Sequence, residues 1–165
     1  MLHTKIDLET RAGLNRGMES AIEAAVRGAD LGQAPFDAAI FDQDGQLVVA
    51  RHNRVRDLVD PIAHAEVAAI RSARQLSDQR HLQRMWFFGS CEPYPMCAAT
   101  SVFPKIRNVV YGAFVSDAID AGFTKLQIPC GQTFQTASQR VNLWAGIRRD
   151  ECVELFTNQL RGVSC

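Results

Sequence analysis

Neither sign of charge is in excess: 18 lysines and arginines face 18 aspartates and glutamates in a chain of 165 residues. Proteins that hold nucleic acid through its phosphates carry a basic excess, so bulk nucleic-acid binding is not expected. A substrate consisting of one base or nucleoside remains compatible with neutrality. Long apolar runs are also missing. Stretches such as Ala38–Phe41 and Leu47–Ala50 fall far short of the roughly 20 residues a bilayer requires. The first ten residues contain no apolar core of a leader, so neither a membrane span nor a signal peptide is expected. Cysteines are few. Five of them (Cys91, Cys97, Cys130, Cys152 and Cys165) make an odd, scattered set without a C-x-x-C pair. That argues against a disulfide framework and for reduced thiols in a cytoplasm. Internal repeats, low-complexity segments, phosphate loops and nucleotide fingerprints are absent as well.

What is present is the composition of a globular protein, 47% hydrophobic and 22% charged. The length predicts one domain, with a core over about 15–125 and a C-terminal helical segment over 126–165. Met18, Ala21, Ile22, Ala25, Val26 and Ala29 recur at helical spacing, predicting a helix over Asn15–Asp30 that stops near Gly32. Asp37–Asp42 and Gln46–Arg51 flank an Asp-Gly turn and predict a β-hairpin. A polar loop follows. Asp60 as cap and Pro61 as first residue then predict a helix to about Leu76. Arg84–Gly89 and Arg107–Tyr111 predict strands on either side of a helix over Pro95–Val102. A short helix near Asp117–Ala121 and then a loop precede one or two amphipathic C-terminal helices. Their buried faces would be Val141, Trp144 and Ile147, then Cys152, Leu155, Phe156 and Leu160. A hairpin followed by strand–helix–strand predicts a three-layer α/β/α domain around a mixed sheet.

Two helix tips carry chemistry. His64-Ala65-Glu66 falls in the first turn of one helix and Cys97 in the first turn of another. The free N–H groups and positive field there favour thiolate and neutral imidazole, the metal-binding forms of these side chains. Inside a helix, His64 and Glu66 would stand about 200° apart. At a tip both can reach one point beyond the end. His64 and Cys97 are thus placed to hold a metal while Glu66 stays off it and handles protons.

The chain resembles the cytidine/deoxycytidylate deaminase superfamily, on Pro35-Phe36, Asn53 with Val55, His64–Val67, Ser90–Pro93, Pro95–Cys97 and Asp117–Phe123. Within it, the nearest resemblance is to the bacterial guanine deaminase and tRNA-adenosine deaminase branch. The H-x-E and P-C-x-x-C signature of zinc deaminases is followed at all but one position. The resemblance implies the cytidine-deaminase-like fold, zinc on His64 and Cys97, proton transfer by Glu66 and a base hydrogen-bonded by Asn53. It also implies hydrolytic loss of an exocyclic amine as ammonia, and a homodimer in which the C-terminal segment closes its own site or a neighbour's.

Three positions depart from the resembled pattern. Tyr94 stands where the first zinc cysteine is expected, and a phenol with an ordinary pKa near 10 is a poor ligand at neutral pH. Cys91, Tyr94 as phenolate and Asp37 are each open as the third donor, and Tyr94 is also a candidate substrate-binding residue. Asp37 replaces an expected glycine after Pro-Phe. It reads either as a carboxylate in the substrate pocket or as a surface residue at a strand start. Lys125 stands where guanine deaminases carry acidic residues. The expected function is a guanine-deaminase-like hydrolysis of a nucleobase or nucleoside at an atypical metal site. The alternative is a deaminase-fold protein that binds a purine-like ligand, or acts as a partner subunit, without hydrolysis.

Overall fold

The computed structural model describes residues 7–77, 82–123 and 126–162, apart from the side chains of 159–162. His3, His81, Lys125, Cys165 and the side chain of Leu160 lie outside the described residues. The elements are α1 (Arg11–Asp30), β1 (Asp37–Phe41), β2 (Leu47–His52), α2 (Val55–Leu58), α3 (Ala65–Ser77) and β3 (Trp86–Cys91). They continue with α4 (Pro95–Val102), β4 (Asn108–Ala113), α5 (Val115–Asp120), α6 (Cys130–Gln135), β5 (Asn142–Trp144) and α7 (Arg149–Gly162). Among the described residues no helix is long and apolar enough to cross a membrane.

Five strands form one sheet in the order β2-β1-β3-β4-β5. The β1/β2 and β1/β3 pairs are antiparallel, and β3/β4 and β4/β5 are parallel. The sheet is therefore mixed, as expected. The hairpin turns where Asp42 Oδ1 accepts from the N–H groups of Asp44 at 2.8 Å and Gln46 at 2.9 Å. Gly45 takes φ 73° there, the left-handed region that costs glycine nothing. β3 is central and buried along its whole length, which its Trp-Phe-Phe run permits. Period-two alternation sends Phe87 to one face and Trp86 and Phe88 to the other. Phe87 packs with Ala65, Ala69 and Ile70 of α3, Ala98 of α4 and Phe134 of α6. Phe88 packs with Met18 and Ala21 of α1, Ala118 of α5 and Phe156 of α7. These two cores make the three layers.

Several boundaries differ from expectation. Thr10, not a residue near Asn15, caps α1, accepting from Gly13 N at 3.1 Å. The apolar stripe begins only at Leu14, so periodicity alone starts the helix late. The helix expected from Pro61 begins at Ala65. Asp60 does act as a local cap, but of a turn: its Oδ1 accepts from Ile62 N at 2.9 Å and its carbonyl from Ala63 N at 3.1 Å. α2 and α6, each shorter than two turns, were expected as loop. Val141 and Trp144 were expected on a helix. Instead Trp144 ends β5 and its ring lies 4.7 Å from that of Trp86. A three-residue strand is too short to show a period of two, and its pairing with β4 decides its conformation.

Candidate functional site

The parallel strands β3 and β4 end at the edge of the sheet where α3 and α4 begin. His64 immediately precedes α3, and its carbonyl accepts the helix's first bond from Ala68 N at 3.1 Å. Glu66 lies in the first turn. Tyr94 is the N-cap of α4, Pro95 its first residue and Cys97 its third. The two tips bring their side chains together. Cys97 Sγ lies 3.6 Å from His64 Nδ1, which lies 4.0 Å from Glu66 Oε2. One ligand atom from each of the three falls within 4.8 Å of the others.

Burial sets the electrostatics. It raises the proton affinity of Glu66, offset in part by His64. It likewise pushes the Cys97 thiol up, and the Glu66 charge pushes in the same direction. The helix-tip field was expected to favour thiolate; desolvation and a neighbouring carboxylate outweigh it. A cation reverses this order, since it stabilises thiolate and carboxylate together. Glu66 Oε2 is buried without a hydrogen-bond partner among the described residues, as suits a group facing a cation or a proton-bearing ligand. Imidazole and thiol are donors that zinc accepts, so His64 and Cys97 fit that ion as two of its ligands, with Glu66 beside them.

The other expected site residues are placed as follows. Cys91 is buried at the end of β3 with Sγ 3.9 Å from the Phe114 carbonyl, outside the His64–Glu66–Cys97 group. Asp37 opens β1 and is 2% exposed, which overturns its reading as a surface residue. Its Oδ1 accepts from Ser90 N at 3.2 Å, while Oδ2 has no hydrogen-bond partner among the described residues. Burial raises its pKa well above the usual carboxylate range. Hydrogen bonding from Ser90 opposes the rise and the charge of Glu66 adds to it. Asn53 is buried, its N–H donating to the Phe36 carbonyl at 2.9 Å and its Oδ1 accepting from Val55 N at 3.0 Å. Tyr94 is half-buried, and its ring centroid lies 5.9 Å from His64 and 6.5 Å from Phe36. His52 ends β2 and packs toward α1 at Gly28.

Sequence reading assigned Glu92 no role. It is 4% exposed, with Oε2 accepting from Val115 N at 3.0 Å and Oε1 from Cys130 N at 2.8 Å. One carboxylate thus ties the first residues of α5 and α6 to the loop that leads through Tyr94 into α4. An acidic residue between a strand end and Pro93 was the available signal. The aromatic group Phe36, Phe123 and Phe156 was missed as well, because its members come from three distant segments.

Comparison with known proteins places these features in a family. Residues 13–113 match the model of the cytidine and deoxycytidylate deaminase zinc-binding region. The guanine deaminase of Bacillus subtilis is 36% identical over 107 residues, 64% of this chain and 68% of that protein. The tRNA-specific adenosine deaminase of Agrobacterium fabrum is 30% identical over 146 residues, 87% of this chain and 91% of that protein. A solved structure in complex with 8-azaguanine superposes with a TM-score of 0.82 at 23% identity, over 90% of this chain and 84% of that one. Another, from work on tRNA:A34 deaminases, gives 0.71 at 29% identity over 85% and 98%. With the family's zinc-binding region spanning β1 to β4 and both helix tips, this chain belongs to the cytidine and deoxycytidylate deaminase family.

Proposed function

We propose that the protein is a zinc-dependent hydrolytic deaminase of a free nucleobase or nucleoside, guanine-deaminase-like in its substrate. The observation that carries this reading is the convergence of His64, Glu66 and Cys97 from two helix tips. In it, His64 and Cys97 hold the metal, which when bound makes water a nucleophile at neutral pH. Glu66, whose proton affinity burial has raised, takes a proton from the water and returns it to the departing amine. Water and an aminated ring carbon give a carbonyl and ammonia. Asn53 has its Oδ1 engaged by Val55 N, so its amide nitrogen is the group it can turn to an acceptor on the base. Asp37 accepts an N–H from the base through Oδ2. The protein acts as a homodimer in a reducing compartment, in keeping with the free cysteines among the described residues.

The test is ammonia release from guanine, 2,6-diaminopurine, adenosine and cytidine by zinc-loaded protein. Glu66→Gln is expected to lower the rate about 100- to 10,000-fold, the weight of a positioned proton-transfer group. It should leave zinc content unchanged. Zinc lost with the carboxylate would instead make Glu66 a donor. Release only from adenosine in an anticodon stem-loop would move the substrate to tRNA. A second reading, ligand binding without hydrolysis, is favoured by Tyr94 at the place of a zinc cysteine. It predicts binding of these bases with no ammonia from any.

A further inference from the structure

We propose that Tyr94 is a ring wall of the substrate site, not a donor to its metal, and that it selects a flat heteroaromatic ring; this rests on the deaminase reading. The inference comes from the arrangement of rings beside the His64–Glu66–Cys97 group. Tyr94, Phe36 and Phe123 are all half-buried and adjoin one another in sequence of contact: Tyr94 to Phe36 at 6.5 Å, Phe36 to Phe123 at 5.5 Å. Phe156 of α7, fully buried, backs them at 5.7 Å from Phe36 and 5.4 Å from Phe123. The wall is therefore held from behind by the core. Its other end meets the chemistry, since the Tyr94 and His64 rings lie 5.9 Å apart in a T-shaped contact.

The attachment of Tyr94 fixes its direction. It is the N-cap of α4 in extended conformation, with φ −64° and ψ 162°, followed by Pro95. The Tyr94 hydroxyl oxygen is inside the protein while the residue keeps partial exposure. What the residue can offer to an incoming molecule is thus its ring rather than its oxygen. A phenol is also a weak zinc donor at neutral pH. An aromatic face recognises another π-face without regard to the hydrogen-bond pattern at its edge. The wall therefore supplies ring recognition, and edge recognition falls to other groups. A cysteine at this position would add a thiol and remove a ring, so one residue decides between a stronger metal site and a stronger ring site.

Calorimetric binding of 8-azaguanine to the zinc-loaded wild type, Tyr94→Phe and Tyr94→Leu tests this, with zinc per chain measured for each. Tyr94→Phe is expected to bind within about threefold of wild type and Tyr94→Leu about tenfold more weakly, the weight of one ring contact. Zinc content should be equal in all three. Should the leucine variant unfold, Tyr94→Met fills the space without a ring and takes its place. Zinc lost in Tyr94→Phe overturns the proposal, because the hydroxyl is then a donor. Equal affinity in the ring-less variant overturns it, as does a wild type that binds none of 8-azaguanine, 2,6-diaminopurine and adenosine. Failure of the deaminase reading looks different: binding intact, with no ammonia released.

Discussion

In the proposed metal site Tyr94 stands where a thiolate is expected, and a single substitution tests this. Tyr94→Cys is expected to raise zinc retention during dialysis against a chelator, since affinity follows ligand number and softness. Unchanged retention would mean that another donor already completes the site. Asp37 makes the opposite trade. Its pKa lies above the unfolded value, so the folded state binds its proton more tightly. That contribution to stability is greatest below the unfolded value of about 3.9 and declines as pH rises through the folded one. Asp37→Asn, which has no charge to desolvate, is expected to be more stable than wild type by about 1 kcal/mol at pH 7. The gap should close toward pH 4 in urea melts. A gap independent of pH would show that the carboxylate is not the cause. Asp37 and Glu66 were legible as candidate residues, but their burial was not, because burial depends on neighbours from β3 that the local sequence does not name.

Among the elements, α1 and the sheet meet at a glycine. A Cβ on Gly17 would lie 2.3 Å from the Phe88 ring. Gly17→Ala must push helix and strand apart and is expected to destabilise by about 1–3 kcal/mol in chemical unfolding. An unaltered midpoint would show that the Phe88 ring can yield. Glu92 joins three elements. Glu92→Ala strands the N–H groups of Val115 and Cys130, and a loss of about 3 kcal/mol is expected. Glu92→Gln, which keeps an acceptor, should lose less. Long elements were legible for a simple reason: α1 and α3 repeat their apolar pattern over several turns, and the hairpin carries its Asp-Gly turn. α2, α6 and β5 were not, since each is too short to repeat the period that would reveal it.

On the scale of the whole molecule, α7 closes the fold. Phe156 and Cys152 of this helix are fully buried, and a Cβ on Gly112 of β4 would meet Cys152 Sγ at 2.2 Å. The C-terminal helix therefore packs on its own chain's sheet. Arg149 pairs with Asp117 at 2.7 Å and lies 5.1 Å over the Phe114 ring, which joins α7 to α5. Arg149 is half-exposed in that pair and Asp117 largely buried, with both carboxylate oxygens accepting from the guanidinium. Phe156→Ala is expected to cost about 3–5 kcal/mol and to lower the melting temperature sharply. A shift like that of an exposed substitution would mean that α7 is not part of the folded core.

The sequence by itself determined the family, the mixed sheet and the two helix tips, because these rest on local spacing: H-x-E, P-x-x-x-C, and apolar periods of two and 3.6. Tertiary structure decided the rest. Only packing shows that His64, Glu66 and Cys97 share one point, that Cys91 lies outside that group, and that Phe36, Phe123 and Phe156 back Tyr94. Proton affinities are of the same kind. A helix tip is written in the chain, but the desolvation that overrides it at Cys97 is set by how many distant side chains exclude water around it.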